Sequence, residues 1–144
     1  LVLLMFLNLA SAVHAADCAV EITAGDNLAY SLSTIQVSRS CESVNIAFKH
    51  LGSLPAAAMG HNFVIAKSVD LQAIQNDGNK AGMSGGYLKS EDDRVIVASQ
   101  IIGGGEATSV ELPVGRLAEG QDYSFFCTVM SHSVVMKGTI SLVP

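Results

Sequence analysis

The chain contains no tryptophan, only three prolines and only 15% charged residues, against roughly a quarter charged in ordinary globular domains. So little proline excludes a proline-rich linker. Eight Lys and Arg stand against 13 Asp and Glu, a formal net charge of −5. No basic run or stripe occurs, so nucleic acid is not an expected partner. The mild acidity bears on solubility and encounter rates, not on fold. No apolar stretch reaches the roughly 20 residues that a membrane-crossing helix needs, so no membrane partner is expected. Neither an internal repeat nor an interdomain linker is visible, and 144 residues suit one domain.

The longest apolar run, Leu1 to Ala12, is uncharged and leads into Val13-His14-Ala15. That reads as the apolar region and small-residue cleavage site of a secretory signal. Twelve apolar residues without a polar face do not make an amphipathic helix. No initiator Met or basic segment stands ahead of them, so the sequence is expected to begin inside the signal. Residues 1–15 are therefore assigned to a signal peptide truncated at its start, and 16–144 to a single domain. Cleavage after Ala15 would leave Ala16-Asp17-Cys18 at the mature start. Asp17, where a lipid-anchored chain wants a small residue, argues against an anchor on Cys18.

Three cysteines are an odd number, and the third requires an account. Cys18 and Cys41 flank strand-turn-strand sequence, and export would permit a disulfide between them. It would close a loop of about 24 residues and add on the order of 3 kcal/mol. Cys127 would then stand unpaired, a hazard in an oxidising compartment unless it is buried or metal-bound.

Apolar and polar residues alternate in short runs: 18–22, 44–48, 62–66, 94–98, 110–114, 123–129 and 136–143. Runs of this kind, punctuated by Gly, Asn, Ser and Asp, predict an antiparallel sandwich or barrel. Pro113 marks its run as an edge strand or a bulge. Residues 68–81 break the pattern and predict a short helix that ends at Gly78. Gly82 to Gly86 is expected to be a flexible connection. Gly103-Gly104-Gly105 reads as a turn, since no Lys-Ser/Thr and no helix follow to make a phosphate cradle.

The chemistry lies near the end of the chain, in FFCTVMSHSVVMKG, where Cys127, His132 and Met136 have the spacing C-x4-H-x3-M. His61 stands upstream in MGHN. Singly, these residues read as a small buried hydrophobe, a surface histidine and core filling. Jointly, a thiolate, two imidazoles and a thioether suit one buried copper ion, with the thioether as a weak axial ligand. Zinc is the chemical rival, but a zinc site would usually have another Cys, His or carboxylate in place of Met.

The mature chain resembles the azurins, bacterial periplasmic blue-copper proteins of the cupredoxin family. The similarity runs from Ala16-Asp17-Cys18 to the C-terminus. It rests on Cys41, His50, Leu54-Pro55, Met59-Gly-His-Asn62, Tyr87-Leu-Lys89, Arg94-Val-Ile96, Phe125-Phe-Cys-Thr128, His132-Ser133 and Met136-Lys-Gly-Thr139. The resemblance implies an all-β Greek-key sandwich with one short helix in a flap, and a Cys18–Cys41 disulfide. It implies Cys127, His61 and His132 as equatorial copper ligands. Met136 would be axial, and the backbone carbonyl of Gly60 would face the ion weakly from the other side. Asn62 would bond the Cys127 sulfur through its backbone N–H and tie two loops with its side chain. His50 matches a buried histidine whose protonation is linked to a conformational change in some azurins; the bland reading is a satisfied core histidine.

The chain departs from the family at Val129-Met130-Ser131, where Phe-Pro-Gly usually precedes the histidine, and at Phe63, where many azurins have tryptophan. The altered loop is expected to shift the reduction potential, which redox titration would read. The resemblance further implies a monomeric electron carrier, not an enzyme, that shuttles electrons between periplasmic redox partners such as c-type cytochromes or a reductase or dehydrogenase. Electrons would leave through His132 inside an apolar patch of Leu28, Leu54, Ala58, Met59, Val129, Met130 and Val135. The alternative function is copper storage or delivery, which would want a more open site richer in Met or Cys.

Overall fold

A computed structural model describes residues 18–144; the signal assigned to 1–15, and the first two residues of the domain, lie outside them. Eight strands form two sheets: β1 (Ala19–Ala24), β2 (Thr34–Ser38), β3 (Ser43–His50), β4 (Val64–Lys67), β5 (Val95–Ala98), β6 (Ala107–Pro113), β7 (Tyr123–Phe126) and β8 (Lys137–Val143). A three-stranded sheet runs β1-β3-β6 and a five-stranded sheet runs β2-β8-β7-β4-β5. Seven strands fall on the alternating runs of the sequence. The eighth, β2, was not anticipated, although buried Ile35 and Val37 alternate with exposed Thr34 and Gln36.

The arrangement is mixed rather than wholly antiparallel. β1 pairs with β3, and β2 with β8, in parallel, while the other four pairings are antiparallel. Parallel pairs need long crossovers, so a local alternation pattern cannot announce them. Pro113 ends β6, one of the two edge strands of the smaller sheet, a position that tolerates the missing N–H of proline. Cys18 and Cys41 form a disulfide, which fastens the start of edge strand β1 to the connection that carries the chain from one sheet to the other.

Between the sheets lies the core. β3 alternates without a break, burying Val44, Ile46, Phe48 and His50. Tyr30 packs edge-on to Phe48, Phe63 and Phe125, at centroid distances of 5.4–5.9 Å. Phe63 stacks on Phe125 at 5.5 Å, so the benzyl ring fills its place in the core without an indole. β7 is buried on both faces, because a second layer covers the five-stranded sheet. There Val64, Ala66 and Phe126 pack against Ile74 of helix α2 (Leu71–Ala81). A one-turn helix, α1 (Ala56–Met59), precedes β4.

Helix α2 passes through the glycine at which it was expected to stop. A Cβ on Gly78 would lie 2.1 Å from the Tyr87 carbonyl oxygen, so this glycine permits close packing rather than ending the helix. The chain turns instead at Gly82, with φ 61°, a left-handed value that glycine tolerates. Residues Met83–Gly85 then form a 3-10 turn rather than a featureless connection.

Arg94 clamps α2 to the start of β5. Its guanidinium bonds both carboxylate oxygens of Asp92 at 2.6 and 2.7 Å and reaches Asp77 at 2.8 Å. Arg94 holds both carboxyls below the ordinary Asp value of 3.8. A depressed carboxyl stabilises the fold above its unfolded pKa, and that contribution fades as pH falls through the native value. The stability difference between the chain and an Asp92→Asn variant should therefore be full above about pH 4 and shrink below it. Thermal melts of metal-free protein between neutral pH and acid check this; a difference independent of pH would refute it.

Candidate metal centre

β7 delivers Cys127 to one end of the sandwich, and β8 begins just after Met136. Two backbone bonds close the intervening loop: the Cys127 N–H donates to Met136 O at 3.1 Å, and the Met136 N–H to His132 O at 2.7 Å. His61 is fixed by a two-bond bridge to Ile102. Its neighbour Gly60 has no room for a side chain, since a Cβ would lie 2.4 Å from Ala56 O and 2.7 Å from the Ile101 side chain. Cys127, His61 and Met136 are wholly buried, and His132 is 7% exposed.

The Cys127 Sγ lies 3.8 Å from His61 Nδ1 and 3.6 Å from His132 Nδ1, and all three atoms lie within 4.8 Å of one another. Metal–sulfur and metal–nitrogen bonds of about 2.3 and 2.05 Å in a trigonal plane would separate sulfur from nitrogen by about 3.8 Å. The residues present therefore fit a first-row ion without rearrangement of these two edges. His61 Nε2 donates to Gly25 O at 2.9 Å, which leaves Nδ1 as the bare nitrogen facing the sulfur. Burial lowers the pKa of His61, and burial together with the charge of His61 lowers that of His132 to about 4. Both imidazoles are neutral at pH 7 and offer lone pairs. Burial pushes the Cys127 thiol up to about 11, against the pull of the Asn62 and Val129 backbone N–H groups. A cation entering here must displace that proton.

Asn62 joins two loops through its side chain. Its Nδ2 donates to Thr128 Oγ1 at 2.8 Å, and its Oδ1 accepts from the Thr128 N–H at 2.9 Å. Three supports were not anticipated from sequence: Gly25 behind His61, the Tyr30 hydroxyl donating to Asn62 O at 2.6 Å, and Gln75 donating to Thr128 O at 2.7 Å. Each lies at least 32 residues from its partner, and nothing local in the sequence marks it. His50, 1% exposed, stacks on His61 with centroids 5.0 Å apart. Its Nε2 donates to Met59 O at 2.8 Å, and its Nδ1 accepts from the Gly52 N–H at 3.1 Å.

The residues of the expected apolar patch divide. Leu28, Leu54, Met130 and Val135 are exposed large hydrophobics, Ala58 is exposed and Met59 half-buried. Val129 is not a surface residue: it is fully buried in the core with Cys127 and Met136. Val134, which was not anticipated, is exposed. The division follows from the backbone, because Met130 (φ 44°) and Ser131 (φ 65°) are both left-handed. Proline is locked near φ −65°, so Val-Met-Ser here follows a path that proline at 130 could not. A Met130→Pro variant is expected to destabilise the metal-free protein by more than about 1 kcal/mol. A melting temperature equal to or above that of the unchanged chain would show that the loop switches backbone freely.

Together these features define a β-sandwich metalloprotein with a buried site of one thiol and two neutral imidazoles. Residues 16–143 match the model of copper binding proteins, plastocyanin/azurin family. Azurin of Bordetella pertussis is 44% identical over 131 residues, covering 91% of this chain and 87% of that protein. Azurin of Alcaligenes faecalis is 46% identical over 125 residues, covering 87% and 98%. Among solved structures, an azurin (Az-iso2) from the obligate methylotroph Methylomonas sp. strain J superposes with a TM-score of 0.86 at 39% identity, over 90% of this chain and all of that one. The chain belongs to the plastocyanin/azurin family of copper-binding proteins.

Proposed function

We propose that the protein is a small electron carrier that holds one copper ion at Cys127, His61 and His132. The Met136 thioether would be the weak axial ligand, and the Gly60 carbonyl a weaker one opposite. The observation that carries this reading is the buried thiol with two bare imidazole nitrogens at 3.6 and 3.8 Å, in a chain of a copper-binding family. When bound, copper supplies a one-electron step between Cu(II) and Cu(I), and this donor set suits both states. The residues supply constancy: the Asn62–Thr128 pair and the Gly25 carbonyl keep the ligand loops where they are, whichever charge the site carries.

Among the four ligand side chains only His132 reaches the surface at all, so we assign it the electron exit. The exposed apolar residues Leu28, Leu54, Ala58, Met130 and Val135, with half-buried Met59, would favour brief docking of the kind that redox encounters use. Partners would be c-type cytochromes or a reductase or dehydrogenase, met by a monomer in the periplasm after removal of residues 1–15. The carrier makes and breaks no substrate bonds and is not an enzyme in that sense. Among the described residues no helix is long and apolar enough to cross a membrane. We retain His50 as a pH-linked residue: a proton on its Nδ1 would oppose the Gly52 N–H, so that amide would have to turn away.

The test is the visible and paramagnetic resonance spectrum of residues 16–144 after addition of Cu(II). An intense thiolate-to-copper band with narrow hyperfine splitting is expected. A colourless adduct with ordinary splitting would overturn the reading.

A further inference from the structure

Among the described residues, one buried side-chain nitrogen or oxygen has no hydrogen-bond partner: Gln75 Oε1. Gln75 lies on α2 and is 2% exposed. Leaving such an atom bare forfeits its hydration without return, so the other end of the amide must do something that a leucine would not. Its Nε2 donates to Thr128 O at 2.7 Å and to Asn79 Oδ1 at 2.9 Å. Asn79, one turn further along the helix, donates from Nδ2 to Ser131 Oγ at 2.9 Å. Reversing the Gln75 amide would set Oε1 against the Thr128 carbonyl, acceptor on acceptor. The bare oxygen is thus the consequence of aiming the donor at the loop.

The two residues that the helix grips are placed pointedly. Thr128 follows Cys127, and Ser131 precedes His132. Between and including the grips lie two consecutive left-handed residues without glycine, Met130 and Ser131. A left-handed backbone crowds the Cβ of each such residue, and strain of this kind persists only where the surroundings over-determine it. The Thr128 N–H and hydroxyl are already engaged by Asn62, so Thr128 is held by two side-chain amides, Asn62 at its N–H and hydroxyl and Gln75 at its carbonyl.

We propose that Gln75 and Asn79 are positioning residues for the metal site. As a two-amide rail on the flap helix, they hold the Thr128–Ser131 backbone in its left-handed path and so set His132 opposite Cys127 before any metal arrives. The inference rests on reading Cys127 and His132 as ligands. Its test is made without metal, so that it can fail independently of that reading.

The measurement is amide hydrogen exchange at residues 129–132 of the metal-free protein. In an Asn79→Ala variant, exchange there should quicken by roughly tenfold or more, while β-strand amides stay unchanged. Alanine is the better helix former, so loosening of the loop could not be blamed on a weakened helix. Asn79→Asp should restore protection, because the Ser131 hydroxyl can donate to a carboxylate and Gln75 can still donate to it. Gln75→Met should loosen the same amides. Asn79 is exposed, so its variants keep the test decisive should Gln75→Met fail to fold. In the copper-loaded protein, a chelator should strip the metal from Asn79→Ala faster than from the unchanged chain or from Asn79→Asp. Unchanged exchange at 129–132 in Asn79→Ala, or equal loosening in Asn79→Asp, would overturn the proposal. A unchanged chain that gives no blue band would count against the copper reading alone.

Discussion

A Cys127→Ser variant should lose the intense visible band entirely and bind Cu(II) more weakly by well over 100-fold, since removing even an outer-sphere support costs about 10–100-fold. The thiol is the one soft anionic donor in the site, and a serine hydroxyl is neither soft nor ionised at neutral pH. Cys127 is fully buried and, among the described residues, is the free cysteine, so no surface thiol stands ready to replace it. The fold should survive, because the backbone bonds that close the 127–136 loop do not involve the side chain. The melting temperature of the metal-free variant should stay within a few degrees of that of the unchanged chain. Titration with Cu(II), followed by absorption and calorimetry, decides the matter. Retention of the band would place the thiolate elsewhere and dismantle the site.

The second large effect concerns stability. Replacing both Cys18 and Cys41 by serine should cost about 3 kcal/mol, the chain-entropy value for a loop of this size. For a domain of this length that corresponds to a fall in melting temperature of about 10 °C. The bond's position makes the loss hard to escape. β1 is an edge strand whose single ladder is to β3, and the disulfide ties its start to the crossing between the two sheets. Thermal melts of the reduced chain and of the double variant should agree with each other and lie below the oxidised protein. A double variant that melts with the oxidised protein would show that the β1–β3 ladder alone holds that corner.

Much of this was legible in the sequence, for reasons that can be named. Seven strands announced themselves as short apolar or alternating runs between turn residues; β3 alternates perfectly and was read almost to its ends. β2 carries the same signal in Thr34-Ile-Gln-Val-Ser38 and could have been found. The parallel pairing of β2 with β8 could not, since the partners lie about a hundred residues apart and share no local mark. Cys127 and His132, which the fold brings together with His61, could be picked out because side chains that bind copper are few and the spacing of these two is short. Val129 was misjudged because two left-handed residues after it redirect the chain, and Met and Ser do not advertise positive φ as glycine does. Gly78 misled in the opposite sense, reading as a stop where it permits contact. The supports from Gly25, Tyr30 and Gln75 stayed hidden because only the assembled fold brings them near.

The placement of β8 governs when this protein can exist at all. The last strand of the chain is not at an edge: it lies between β2 and β7 and pairs with both. Until residues 137–143 are available, β2 has no neighbour in its sheet and the larger half of the sandwich has a gap through it. Folding is therefore a late event that waits for the C-terminus, and it must bring together segments as distant as Thr34 and Thr139, a topology that folds slowly. The proposed metal site follows the same clock, for its candidate axial residue, Met136, sits one residue before the strand that closes the sheet.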